Sequence, residues 1–449
     1  MKPAAALCLA ILAAWPAARP LAAETRATAP ASGGLTLADA QAMLLERNLA
    51  LAAARRGVEI ARAQRLVADT APAGSITYGQ TAAQMSEERR LSGFYGNRAV
   101  SPLNNASFTL NVVVERGGKR ELRTLVAAEQ VSVAEAQLLD AMRDQLFQLR
   151  QAFINALQAR ADLRVALDNR NSLNQTEALL ARQVRQGGIA ESELLRFQAS
   201  RLPFEQQVAA AIQAQAAAVA RVAALLGQDA VARGATLELG GSLANQAPLG
   251  LTQAALAAAI GERPDVLAAE RGVAAADAST RLAEAGRSRD LSIGGSLSRT
   301  ELSQDLPSAS RGLRANNAVG ITLSVPIFTQ RITEGGIAVA MAQRAQARAQ
   351  ADGVRANALA DLAAAWAGYE QARTLMALTS GAVLRRAEEA YRATEAAYLA
   401  GGRSLLDVLD ALRTLNATRQ AANAAQAAHA LALATLEQAS GVGGIMPRL

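Results

Sequence analysis

The chain has 449 residues, a length that admits two or three domains. Aromatics make up only 3% of it and alanine dominates the apolar residues, which disfavours a compact enzyme core and suits long, closely packed helices. The 46 basic and 39 acidic side chains are interspersed and form no basic stripe with interleaved aromatics, which argues against a nucleic-acid partner.

Residues 1–23 read as a secretory signal peptide: Lys2 is the positive start, Ala4 to Ala14 an apolar run too short to span a membrane, and Leu21-Ala22-Ala23 a small-residue exit before Glu24. Cys8, the only cysteine, lies inside this signal with most of the apolar run after it, which argues against lipidation and leaves the mature chain without a disulfide or thiolate ligand. Cleavage leaves 44 basic against 39 acidic side chains, a net of +5. Residues 24–34 form a flexible N-terminal segment.

From Leu35 the chain repeats itself at a period near 214 residues. The opening Leu35-Thr36-Leu37-Ala38 is answered by Leu249-Gly250-Leu251-Thr252, Gln186-Gly187-Gly188-Ile189 by Ala400-Gly401-Gly402-Arg403, and Leu226-Gly227 by Ser440-Gly441. In both halves the second glycine of the pair and the closing glycine stand 39 positions apart. The domain plan is therefore a first repeat over 35–228, a linker over 229–250, a second repeat over 251–441 and a tail over 442–449.

No proline interrupts 103–202 or 327–446, and both windows are helical in period. Leu139, Met142, Leu146, Leu149, Phe153 and Ala156 alternate steps of three and four, and Ile212, Val219 and Leu226 follow at sevens. These spacings predict a helix from about Lys119 to Arg185, a turn at Gly187-Gly188 and a return helix to about Leu226, bent or broken at Pro203. The first helix would be about 100 Å long, which needs a coiled coil or tube around it. The second half predicts one helix from about Gly336 to Leu399, a turn at Gly401-Gly402, and a return from about Ser404 to Gln438.

Between the opening and long helices of each half the period drops to two. Phe108, Leu110, Val112 and Val114 alternate with Thr109 and Asn111; Leu291, Ile293 and Leu297 with Ser292, Gly294, Ser296 and Ser298; and Val319 to Ile327 with Gly320, Thr322 and Ser324. Ile76 and Tyr78 give a shorter version. Such strands suit a transmembrane barrel, and a soluble half-buried sheet is the alternative. The export signal and the small polar residues on the second face favour the barrel. Four strands cannot close one, and lipid tolerates no open sheet edge, so the chain must oligomerise, a dimer giving eight strands and a trimer twelve. Polar loops at 81–105 and 300–316, with the Gly96-Asn97 and Asn316-Asn317 pairs, would face outside.

Over nearly all its mature length the sequence resembles the TolC-like outer-membrane efflux family. The motifs are Leu35-Thr36-Leu37-Ala38-Asp39-Ala40 with Arg47-Asn48-Leu49-Ala50-Leu51, then Glu262-Arg263-Pro264-Asp265-Val266, and then the run from Tyr398 to Ala411 closing in Leu436 to Gly441. The resemblance implies a mostly α fold with a small β part: a homotrimer whose twelve-stranded barrel in outer-membrane lipid continues as a helical coiled-coil tunnel in the periplasm. It also implies a periplasmic adaptor and an inner-membrane transporter of RND type as partners. Glu115-Arg116-Gly117-Gly118-Lys119-Arg120, with Arg123 after it, is similar to an element of the branch serving heavy-metal cation (CzcC-like) pumps. Arg116 departs from the usual leucine there, and Gln330 to Glu334 depart from the usual Asn-rich turn. Read from the residues alone, Gly117, Gly118, Lys119 and Arg120 are a strand-to-helix corner in which glycine permits the bend.

By the same resemblance Gly187, Gly188, Gly401 and Gly402 are the periplasmic tips, and Arg403, Asp407 and Asp410 form a gate. The two aspartates, three apart, share a helix face and would give a trimer an acidic ring favouring cations. Ordinary helix-start placement of acids is the competing reading. The first-repeat counterparts are Ile189, Glu193 and Arg196, so the second hairpin should build most of the gate. His429, mid-helix among alanines, has no second histidine or cysteine with which to hold a metal. Neither a phosphate-binding loop nor a nucleophile elbow is present, and neither an enzyme nor a cofactor is expected. The function implied is a passive exit duct of a tripartite efflux system, with heavy-metal cations, organic drugs or a type I secreted protein as cargo. A non-conducting coiled-coil tether across the periplasm is the reading from a different class.

Overall fold

The computed structural model describes residues 34–85, 101–228, 237–243, 249–302, 316–379 and 381–445. The signal peptide with Cys8, nearly all of the expected flexible segment, Gly96-Asn97, much of the linker and the end of the tail lie outside the described residues.

Helix α1 (Leu37–Arg47) opens on a capping box in which the Thr36 hydroxyl and the Asp39 carboxylate cap each other's backbone, and α2 (Leu49–Ala68) starts on Asn48, whose Oδ1 accepts from Leu51 N–H at 3.0 Å. Strands β1 (Ser75–Met85) and β2 (Ser101–Val114) follow. The long helix α3 (Lys119–Arg185) has the predicted bounds. The return path is α4 (Glu191–Ser200) and α5 (Leu202–Leu225), divided at Arg201 because Pro203 has no N–H to continue the ladder and sits instead in the first turn of α5.

The second repeat runs through α6 (Gln253–Ala258), a single 3-10 turn (Ala259–Glu262), α7 (Pro264–Ala285), β3 (Leu291–Leu302), β4 (Asn316–Ser324), α8 (Gln330–Leu378), α9 (Gly381–Leu399) and α10 (Leu405–Ser440). The expected single helix from Gly336 to Leu399 is two: it begins six residues earlier and divides between Leu378 and Gly381, where the Thr379 hydroxyl turns back onto Leu375 O at 2.9 Å and glycine follows.

The four strands form one antiparallel sheet in the order β1-β2-β3-β4, so β2 and β3 join the repeats and β1 and β4 are open edges. Register sorts its two faces. One carries rows such as Tyr78, Phe108, Leu297 and Val319, with Ile76, Leu110 and Ile321 below; the other carries Thr77, Thr109, Ser296 and Gly320, then Ser75, Asn111, Gly294 and Thr322. The strands outrun their apolar rows: residues 81–85, 101–105, 300–302 and 316–317, expected in loops, belong to the ladders, because backbone pairing continues past the band where alternation is visible. Conversely β4 stops at Ser324, short of Val325 and Ile327, because Pro326 cannot donate.

Duplication shows in the packing. In the first repeat Leu44 and Leu51 bury against Leu149, Phe153 and Leu226; in the second Leu256 and Ile260 bury against Leu362, Ala365 and Leu436. A third cluster unites both hairpins through Leu173, Leu180, Phe197, Phe204, Leu405 and Leu409. The predicted seam holds from Met142 to Ala156, but Leu139 and Ile212 are each 51% exposed in the single chain, because no element among the described residues covers those faces.

Candidate functional site: the corner, the belt and the tips of the tunnel

At the β2–α3 corner Gly117 and Gly118 both take left-handed φ, 79° and 67°, as the bend requires. Gly117 also admits the α7–β3 turn: a Cβ there would stand 2.7 Å from Ser288 Cβ. Lys119 Nζ donates to Asp290 Oδ1 at 2.8 Å, and Arg116 N–H donates to the same oxygen at 3.1 Å. Arg123 pairs with Glu115, Nη2 to Oε2 being 2.9 Å, and Arg120 lies 3.7 Å from Asp69. Burial pushes the Asp290 carboxyl up, but the Lys119 and Arg116 hydrogen bonds and the nearby cations outweigh it and hold the group below the usual carboxylate range. These residues are a joint between strands and helices. At Arg116 it is the backbone N–H that joins this network.

A belt of ion pairs gathers where the end of α10 meets the start of α7, using Arg263 and Asp265 of the second-repeat motif. Arg263, 5% exposed, donates to both Asp265 oxygens at 2.7 and 2.6 Å, to Asp361 at 3.2 Å and to the Ala439 carbonyl at 2.9 Å. Arg143 reaches Asp140 at 2.7 Å, Asp265 at 3.7 Å and Gln438 O at 2.9 Å, and Arg150 pairs with Glu437 at 2.9 Å. Burial raises the Asp265 carboxyl, yet the Arg263 hydrogen bond and the charges of Arg143 and Arg263 bring it below the usual range. For Asp140 burial wins over Arg143, and its carboxyl stays above that range. The belt ties α3, α7, α8 and α10 together. Its one signal in the sequence was an arginine just before a helix-opening proline with an aspartate just after.

At the tips the glycine pairs build the same turn twice. Gly187 N–H donates to Val184 O and Gly188 N–H to Gln183 O; Gly401 N–H donates to Tyr398 O and Gly402 N–H to Ala397 O. This is a Schellman closure, with Gly187 at φ 72° and Gly401 at φ 78°. The tips lie side by side, since Ile189, Phe197, Tyr398 and Leu405 share one apolar cluster; burial and the Glu193 charge push the Tyr398 hydroxyl up. Their chemistry differs. Asp407 forms a capping box with Ser404, accepting from its N–H and Oγ at 3.0 Å each, and those bonds, with the Arg403 charge, hold its carboxyl below the usual range. Asp410 and Arg403 are exposed and make no side-chain hydrogen bond or ion pair among the described residues. In the first hairpin Glu193 instead sits 3.8 Å from Arg196. His429 is buried in α10 against Tyr369, ring centroids 5.6 Å apart.

Residues 255–442 match the family described as Outer membrane efflux protein. The second repeat is thus similar to outer membrane efflux proteins over nearly its whole length. The first repeat shares its glycine turns and closing glycine, and the fold is TolC-like throughout. CusC, solved for the conformational changes that accompany folding and transmembrane channel formation, is 20% identical with a TM-score of 0.71, covering 91% of this chain and 92% of its own. VceC of Vibrio cholerae is 20% identical with a TM-score of 0.69, covering 91% and 96%. The CmeC outer membrane channel of Campylobacter jejuni is 14% identical with a TM-score of 0.72, covering 93% and 90%. No curated protein matches the chain. Outer membrane efflux proteins are transport ducts and not enzymes. They lie in the outer membrane with a tunnel in the periplasm, are trimeric, and work with an adaptor and an inner-membrane transporter.

Proposed function

We propose that three copies of this chain close one duct and that it passes heavy-metal cations delivered by an RND-type inner-membrane transporter. The observation that carries the duct is the sheet: an apolar face for lipid, a face of small polar residues for water, and two open edges that only further copies can pair. A tether has no use for the second face. Adding β4 of one copy to β1 of the next gives twelve strands after three. The likeness of the Glu115 to Arg120 corner to the heavy-metal branch, together with the acids of the second tip, supports the cargo.

In this reading Arg403 finds its partner carboxylate on a neighbouring copy and holds the tips closed, and the adaptor docks on the tips and parts them. Asp407 and Asp410 supply six carboxylates around the axis. Replacing both with asparagine keeps an acceptor for the Ser404 N–H and removes the charge. Cation-over-anion permeability in planar bilayers is expected to fall several-fold; unchanged selectivity would remove these residues from the gate. For the cargo, a deletion strain is expected to become sensitive to zinc, cobalt, cadmium, nickel or copper salts and to stay indifferent to a matched panel of organic antimicrobials. Sensitivity to the organic panel alone would make the duct a multidrug component.

A further inference from the structure

The register of the central strands separates the corner charges by face. The last β2–β3 pair is Val114 with Leu291, both on the apolar side of the sheet. Continuing that pairing, the next position sets Glu115 against Asp290, on the polar side, and both acids are bonded, to Arg123 and Lys119. One position further, past the last ladder pair and just before the Gly117 bend, the same count sets Arg116 opposite Arg289, on the side of Val114 and Leu291. Both arginines are exposed, as is Arg287 in the turn before β3, and none of the three makes a side-chain hydrogen bond or ion pair among the described residues. By this count the acids of the joint are neutralised by Arg123 and Lys119, while the arginines follow the apolar rows with no side-chain counter-charge among the described residues.

We propose that Arg116 and Arg289, with Arg287 beside them, form a binding site for the phosphate of anionic phospholipid in the periplasmic leaflet. The inference rests on the barrel reading. Within it the geometry is specific: β2 and β3 are the inner strands of each chain, so their corner lies away from the β1 and β4 edges where a neighbouring copy pairs. A second copy therefore does not cover these cations, and headgroups do. Two guanidinium groups two positions past the end of the ladder suit capture of a phosphate, with their aliphatic stems along the acyl boundary. Phe328, at the neighbouring β4–α8 corner, agrees with that placement: it is 89% exposed and is the only non-glycine among the described residues with positive φ, 58°. An aromatic side chain held open at that level fits the interfacial belt of a membrane protein.

The test is native mass spectrometry of the detergent-extracted trimer titrated with phosphatidylglycerol and, separately, phosphatidylcholine of the same chain length. The intact protein is expected to bind phosphatidylglycerol about tenfold or more tightly, from the contribution of each interfacial arginine. The R116Q/R289Q variant is expected to lose that preference, R116K/R289K to keep most of it, and the tunnel variant R344Q/R348Q to keep all of it. If R116Q/R289Q does not assemble, R116Q and R289Q singly are each expected to lose part of the preference. A trimer with no preference, or a preference untouched by these substitutions, overturns the site. A protein released without detergent and lacking the trimer would instead overturn the barrel.

Discussion

Arg263→Ala is expected to cost the folded chain about 3–5 kcal/mol, the range for breaking a buried ion pair by removing one partner. Arg263 satisfies the Asp265 carboxylate with two hydrogen bonds and supplies a donor to the Ala439 carbonyl beneath the end of α10. Its removal leaves a mostly buried carboxylate with Arg143 as the remaining cation, 3.7 Å away. Asp361→Asn is the internal comparison: Asp361 touches the same guanidinium but its side chain is 59% exposed, so its loss is expected to cost under about 1 kcal/mol. The thermal denaturation midpoint of the detergent-purified protein separates the two; equal effects would show that the belt is not the tie described.

The same belt predicts an acid limit. Asp265 in the belt, Asp290 at the corner and Glu177, bonded to Gln198 and Arg201, all have folded-state carboxyl values below their ordinary ones. Their contribution is fully present above the unfolded values near 4 and is lost as pH falls through the lowered folded ones. Asp140, raised by burial, works the other way and offsets part of it. Stability is therefore expected to be flat from neutral pH to about 5 and to fall below about 4. Asp265→Asn should make that fall shallower, and an unchanged acid profile would remove Asp265 from it.

Gly227→Ala is the second large effect. Gly227 closes α5 at φ 67°, and a Cβ there would stand 2.6 Å from the carbonyl oxygen of Arg47, a backbone atom with little room to move. Left-handed strain of about 1–2 kcal/mol adds to about 1–3 kcal/mol for forced overlap. Gly187→Ala carries the strain alone, since nothing lies within 4 Å of its Cβ. The closing glycine is thus expected to cost at least twice what the tip glycine does, read as the drop in denaturation midpoint. Equal losses would mean that close approach to Arg47 is not what selects glycine at that position.

These residues also mark what was legible from the chain alone. Proline-free windows and glycine pairs are local signals, so α3 and the turns at both glycine pairs came out where expected. The division of α8 from α9 did not, because a lone glycine is tolerated inside many helices and no proline announced it. Strand faces were readable from alternation, whereas strand ends were not, since the ladders run on past the apolar rows into polar pairs such as Thr81 with Asn105. The belt stayed hidden for a different reason. Arg143, Arg263, Asp361 and Glu437 are far apart in sequence, and only the duplication folding back on itself brings them together. Ser404 and Asp407 could be seen as a capping box; the proposed axial position of the same carboxylate concerns three chains, and one chain's sequence does not contain it.

Electron cryomicroscopy of the protein extracted from outer membranes tests the duct most directly. The expected particle has three copies about one axis, β4 of each pairing with β1 of the next in a twelve-stranded barrel, and the two glycine tips of every copy converging at the far end. A particle released without detergent, or one whose β1 and β4 edges remain unpaired, would contradict it.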